Sequence, residues 1–240
     1  MSYFESRLKV NFENIDELNK KLEFCKVLGI KNLILETVKS QISAELRGKI
    51  EQQTNLNIYY RFNLKPVSLS DFKSRMKDFN NFPFILSIES IDKDIQINAA
   101  RDSRVDIISF SDENILKTLT AGIISLTKQN NSFIEFSLAP IMTSNKALQS
   151  KNFRNLYKFI QLALKLNANF IISGNFDDLY DLRHPKSLLS ICHSLLDIPL
   201  NKIKKGFIDN PKLLIERIQN RKKDNITESG IRLIRRGELK

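Results

Sequence analysis

Cysteine and histidine are scarce in this chain of 240 residues, at two of each. Cys25 and Cys192 cannot supply a disulfide framework and no C-x-x-C occurs, so a reducing, cytosolic compartment is the default. No apolar run approaches the ~18 residues that a membrane helix needs. The opening "MSYFESRLKVNFENIDELNKK" is charged early and has no apolar segment, which argues against a secretory signal. There is no G-x-S-x-G, H-E-x-x-H, H-x-H or G-x-x-x-x-G-K-[ST]. With Gly at 7 and Pro at 6, no linker rich in either divides the chain, and no internal repeat stands out.

Against these absences stand 42% hydrophobic and 27% charged residues, enough for a sizeable core. Short β-branched and aromatic runs alternate with segments of helical period. "YFESRLKVNF", "KNLILETV", "NIYYRFNL", "FPFILSIES", "RVDIISFS", "SFIEFSLAPI" and "NFIISG" read as strands. Helices are expected between them, including single helices over 113–129 and 147–166. After Gly174 two more are expected, roughly 185–197 and 210–222, with "NKIKKGF" between them. "FILSI", "VDIIS" and "NFIIS" are apolar at consecutive positions, which implies burial on both faces and a parallel sheet covered by helices. About seven β-then-α units in one chain suit a closed or nearly closed barrel. The expected fold is α/β, a single-domain β/α (TIM-like) barrel over residues 1–224, followed by a basic strand or tail over 225–240.

Charge is the strongest compositional signal. Lys and Arg number 38 against 27 Asp and Glu, a formal +11, which attracts polyanions, nucleic acid before acidic membrane. In "KNFRNLYKFIQLALKL", helical spacing places Phe153, Leu156, Tyr157, Ile160 and Leu164 on the buried side and Lys151, Arg154, Lys158 and Lys165 opposite, with Gln161 among them. No acidic residue interrupts that stripe. A solvated helix face usually mixes signs, so phosphate contact and a plain solvated face both remain open. From Arg217 to Lys240 eight basic residues face three acids, a surplus of five. Arg101 and Arg104 form a third cluster, where Asp102 and Asp106 offer salt bridges as an alternative to RNA.

Both histidines fall in "DLYDLRHPKSLLSICHSLL". Pro185 suits the first turn of a helix, which puts His184 at its cap and His193 more than two turns further on. They cannot share a metal locally, and an ordinary helix start is the better reading. Carboxylates near strand ends (Glu36, Glu89, Asp106, Glu135, Asp177 and Asp178) could hold Mg²⁺ if two or three converged, but no spacing demands it. A small-molecule barrel enzyme is disfavoured, since neither a phosphate-binding glycine loop nor a paired acid and base is found.

In order along the chain, "NAARDSRVDIISFSD", "FIEFSLAPIM", "NFIISGNFDDLYDLRHPKSLLSICHSLLDIP", "NPKLLIERIQNRKK" and "GIRLI" resemble ribonuclease P protein component 3. The most specific element is "LRHPKSLL", similar to that family's Arg-x-Pro-[Arg/Lys]-Asp-Leu, with Ser187 where Asp is usual and a weaker helix cap in consequence. The resemblance implies a β/α barrel similar to the polymerase-and-histidinol-phosphatase metallohydrolases. Those hydrolases begin with an H-x-H on the first strand, where this chain has "RLKVN", so a scaffold without its own catalytic residues is expected. It implies an RNA-binding, non-catalytic subunit of ribonuclease P, an endoribonuclease that removes the 5′ leader from precursor tRNA, with Mg²⁺ in the RNA subunit and no cofactor on this chain. Its implied partners are the ribonuclease P RNA, precursor tRNA and a second small protein subunit in a heterotetramer. A metal-dependent phosphoesterase using carboxylate ligands is the alternative. Arg183 matches the family motif and is the first candidate for RNA contact, with a salt bridge to Asp178 or Asp181 as its other reading. Lys165 and Lys186 come next, then Arg154, Lys158, Lys202, Arg101 and Arg104. Few aromatics lie beside them, so phosphate and shape recognition is expected rather than base stacking.

Overall fold

Consecutive apolar residues in a strand need cover on both faces, and this fold supplies it. The computed structural model describes residues 3–37, 42–80, 82–221, 226–228 and 231–232. Seven strands, β1 (Phe4–Lys9), β2 (Asn32–Thr37), β3 (Asn57–Leu64), β4 (Ile85–Ile88), β5 (Ile107–Phe110), β6 (Phe133–Ser137) and β7 (Phe170–Ser173), pair in parallel in chain order. Every residue of β4 to β7 is buried. The helices surrounding the sheet are α1 (Ile15–Val27), α2 (Ala44–Gln53), α3 (Leu69–Arg75), α4 (Lys93–Arg101), α5 (Glu113–Leu116), α6 (Ala121–Gln129) and α7 (Lys146–Lys165). The result is a nearly closed TIM-like barrel. After β7 come α8 (Pro185–Ser194), α9 (Leu200–Lys204) and α10 (Asn210–Arg221). Short antiparallel strands Ile226–Glu228 and Ile231–Arg232 follow. The expected domain boundary at 224–225 and the tail beyond 232 lie outside the described residues.

Several expectations need correction. The helix expected over 113–129 is broken into α5 and α6. Thr118 Oγ1 donates back to the Ile115 carbonyl at 2.6 Å, and Thr120 caps α6 by accepting from the Ile123 amide at 3.3 Å. Both hydroxyls offer the backbone an alternative to the helical ladder. The "NKIKKGF" stretch is itself helical: α9 runs through a π-helical turn (Lys205–Asp209) directly into α10. On α7 the buried stripe is turned from the expected one. Asn152, Leu156, Phe159, Ile160 and Ala163 are buried, whereas Tyr157 is exposed.

Within the barrel the side chains form layers. At the N-terminal end of the strands, Phe4, Ile34, Ile85, Ile107, Phe133 and Ile171 pack with Tyr59 against Leu214, Ile215 and Ile218 of α10. That helix is a plug closing one end of the barrel. Strand period then sends the residue two positions on into the interior: Glu36, Arg61, Ser87, Ser109, Glu135 and Ser173. In β1 a register shift between Glu5 and Leu8 brings Arg7, three residues after Phe4, into the same layer. The barrel is joined at the β1–β7 seam through a side chain. Glu5 Oε1 accepts from the Gly174 amide at 2.9 Å and from the Arg7 amide at 3.2 Å. The π-helical turn lies over this seam, with Phe207 stacked on Tyr3 at 5.1 Å between ring centroids.

Candidate nucleic-acid interface

The barrel centre, where a hydrolase of this shape would work, is filled by ion pairs. Arg7, 1% exposed, places Nε 2.6 Å from Glu36 Oε2 and Nη2 2.8 Å from Glu89 Oε2, while its Nη1 donates to Ser109 Oγ at 2.9 Å. Arg61 grips Glu135 with two parallel bonds of 2.7 and 2.8 Å, the fork geometry that suits a guanidinium to a carboxylate. Ser109 Oγ donates to Glu135 Oε2 at 2.7 Å, and Lys65 reaches Glu89 at 2.7 Å. Burial alone would raise the Glu135 carboxyl, but Arg61 and Arg7 bring it down to about 2. Burial acts likewise on Glu89, and Arg7 with Lys65 holds that carboxyl at about 2. Three of the carboxylates considered as Mg²⁺ ligands are therefore already neutralised by arginine. Of the others, Asp106 is held by α10 and Asp177 pairs with Lys9 at 2.8 Å. Among the described residues no group of three His, Cys, Asp or Glu side chains is placed to hold a metal.

The two histidines do sit on an ordinary helix. His184 caps α8, its Nδ1 accepting from the Lys186 amide at 3.1 Å, so Ser187 does not serve as the cap. His193 is exposed on α8 and its Nδ1 lies 3.1 Å from the Ile198 carbonyl. Cys25 and Cys192 are free and buried.

The candidate RNA-contact residues divide into exposed and engaged groups. Arg154, Lys158 and Lys165 project from α7 into solvent, and Lys158 Nζ lies 5.5 Å from the centre of its neighbour's ring, Phe159. The fourth member of that stripe, Lys151, pairs with Glu113 at 2.8 Å. Lys202 reaches across to Asn167 Oδ1 at 3.2 Å, just past the end of α7, and Lys128 donates to the Leu166 carbonyl at 3.1 Å. Lys128, Lys165 and Lys202 thus surround the C-terminus of one helix, where its exposed carbonyls favour cations. Lys186 is exposed at the start of α8. Arg183 donates to the carbonyls of Tyr180 and Leu182, holding its own loop rather than pairing with Asp178 or Asp181. Arg101 is exposed. Arg104 is taken up internally, by Asp102 at 2.6 and 2.9 Å and by the Met76 carbonyl at 2.7 Å. These side chains do not converge on one pocket. They lie along a helix and at the two ends of the barrel.

The RNase P subunit p30 model matches residues 4–223. The chain belongs to the RNase P subunit p30 family. It is 22% identical over 184 residues to ribonuclease P protein component 3 of Methanococcus maripaludis, covering 76% of this chain and 78% of that one. The chain it resembles in a cryo-EM structure of archaeal ribonuclease P with mature tRNA has 17% identity and a TM-score of 0.75. That match covers 98% of this chain and 99% of the other. Aspergillus niger ochratoxinase shares the barrel at 10% identity and a TM-score of 0.58, over 82% of this chain and 63% of that one. At such identities these two structures speak for the fold alone.

In this p30-family barrel, what a sequence reading missed is the direction in which charges point. Arg217 and Arg221 count toward the basic C-terminus, yet both turn inward from α10. Arg221 Nη2 lies 2.6 Å from Asp106 Oδ1 and Arg217 Nε lies 3.2 Å from it, and Arg217 also binds the carbonyls of Asn131 and Ser103. They fasten the plug helix to the barrel. Asp106, beside Arg104 in the chain, is spent on them instead. The one available signal was spacing: Arg217 and Arg221 are four apart, on the helix side that also carries Leu214 and Ile218.

Proposed function

We infer that this chain is an RNA-bracing, non-catalytic protein subunit of ribonuclease P, acting in removal of the 5′ leader from precursor tRNA. The observation that carries the reading is the family match from residue 4 to residue 223. The barrel interior supports it. A carboxylate already forked by arginine is a poor metal ligand and a poor general base, so a phosphoesterase built on Glu36, Glu89 and Glu135 is disfavoured. Phosphodiester hydrolysis then belongs to the RNA subunit and its Mg²⁺, and the chain binds no cofactor of its own.

The protein's part is electrostatic. Folding a large RNA crowds phosphates together, and a rigid cationic surface offsets their repulsion while releasing counterions. Arg154, Lys158, Lys165, Lys186 and Arg101 are the exposed contacts, with Arg183 and Lys202 ordered by local hydrogen bonds and Arg104 the weakest of the set. A second small protein subunit, joined in a heterotetramer, completes the assembly. A cytoplasmic location fits, and among the described residues no helix is long and apolar enough to cross a membrane.

The test is reconstitution with the cognate RNA and protein subunits. The double substitution Arg183→Ala and Lys165→Ala lowers precursor-tRNA processing while circular dichroism stays unchanged. It also reduces the slope of log affinity against log salt by about one for each phosphate contact removed. Wild-type processing and an unaltered slope would remove these residues from the interface. Leader removal by the purified chain free of RNA would overturn the reading itself.

A further inference from the structure

On α7 the barrel turns out a ring that helical spacing alone would bury. Tyr157 is 39% exposed, and Phe153, one turn before it, is only half-buried. At about 100° per residue, Tyr157 lies about 40° round the helix axis from Phe153 and about 60° from Arg154. The two rings therefore border the cationic stripe, with Arg154 and Lys158, both exposed, beside them in the chain.

The charge around these rings has one sign. Lys146, Lys151, Arg154, Lys158 and Lys165 all belong to α7, and the helix has no carboxylate. An aromatic face set beside guanidinium and ammonium groups suits a nucleotide, whose base has a π-face and whose phosphate is anionic. Paired RNA cannot use it. In an A-form helix the base faces are stacked on one another, and side chains meet only groove edges, 2′-hydroxyls and phosphates. An unpaired base can be splayed onto a ring. A protein interface would instead cover Lys158, and lysine is depleted from the cores of such interfaces.

We propose that the Phe153–Tyr157 edge of α7 holds an unpaired nucleobase of the RNA by stacking on Tyr157, while Arg154 and Lys158 take the neighbouring phosphates. The inference rests on the reading of this chain as an RNA-bracing subunit. It adds one point at which the brace recognises a loop, a bulge or a strand end rather than a duplex. With Tyr157 counted on the buried side, sequence spacing offers no stacking ring at this place.

The probes are hexaadenylate and an abasic strand with the same ribose-phosphate backbone, each bound to the full chain and followed by fluorescence anisotropy. The parent is expected to bind hexaadenylate about tenfold more tightly than the abasic strand, the scale of one stacked base. Tyr157→Ala removes that preference without changing the circular dichroism, whereas Tyr157→Phe, which keeps the ring, retains it. Arg154→Ala weakens both strands alike. Equal binding of the two strands by the parent, or a preference that survives Tyr157→Ala, would overturn the proposal. In the reconstituted particle, loss of a protein subunit from Tyr157→Ala with the hexaadenylate preference intact would assign this edge to protein instead. The abasic strand reports on phosphate recognition alone, so its salt-dependent binding keeps the bracing function standing if stacking fails. Binding of neither strand would overturn both.

Discussion

Arg61 and Glu135 are both completely buried and bonded to each other at 2.7 and 2.8 Å, so each is tolerable in the barrel only because of the other. Arg61→Ala should lower stability by about 3–5 kcal/mol, since it leaves a buried carboxylate short of its main partner. Replacing both, as Arg61→Met with Glu135→Leu, should cost less than the single change, because no charge is then stranded. Urea midpoints of the two variants check this order. Glu5 behaves oppositely. Burial raises its carboxyl to about 7 from an ordinary 4.5, against the opposing hydrogen bonds from the Gly174 and Arg7 amides. The unfolded chain releases this proton readily and the barrel does not, so the contribution is complete below pH 4.5 and is lost as pH rises to 7. At about 1.4 kcal/mol for each pH unit the loss is on the order of 3 kcal/mol. Glu5→Gln keeps an acceptor for Gly174 without the titration. Its urea midpoint should exceed that of the parent at pH 8 and approach it at pH 4.5.

Among the elements, the continuous rod of α9, the π-helical turn and α10 ties the barrel seam to the barrel end. Its middle covers the β1–β7 seam and its end plugs the barrel. Gly206 permits the close approach at the seam. A Cβ there would stand 3.2 Å from Ile172 Cγ1 and Phe170 Cε2, tighter than ordinary contact. Gly206→Val should therefore lift the rod from β7 and cost about 1–3 kcal/mol. Thermal unfolding followed by circular dichroism measures it, and an unchanged midpoint would mean that the rod shifts without penalty. The rod was only half legible. α10 announced itself by period, but "NKIKKGF" is polar with an internal glycine, and nothing local marks it as helical. What makes it helical is the sheet seam beneath Gly206 and Phe207. α7 shows the same limit more gently. Its length and its cationic side follow from spacing, yet the barrel rotated the buried side by enough to expose Tyr157 and bury Phe159.

For the whole molecule, two titrations oppose each other. Glu135 and Glu89, held at about 2, contribute stability above 4.5 that disappears as pH falls toward 2. Glu5 removes stability between 4.5 and 7. Stability should therefore pass through a maximum near pH 5, with the acid limb set by the arginine network and the alkaline limb flattened in Glu5→Gln. A urea series across pH tests both limbs. The sign of the net charge, the shortage of histidine and the repeated β-then-α order are properties of composition and local pattern. They were enough for the barrel and for one long basic helix, while the family rested on the resemblance of motifs such as "LRHPKSLL". Which charges are spent inside was settled by tertiary structure alone. Arg7 enters the interior through a slip of register in β1, and Arg61 and Glu135 lie on strands 74 residues apart. Arg217 and Arg221 face Asp106 across more than a hundred residues. A carboxylate read one position at a time looks like a metal ligand or a surface group. Closing the sheet brings distant side chains into hydrogen-bonding distance, and that proximity decides which charges are spent on the fold and which stay at the surface.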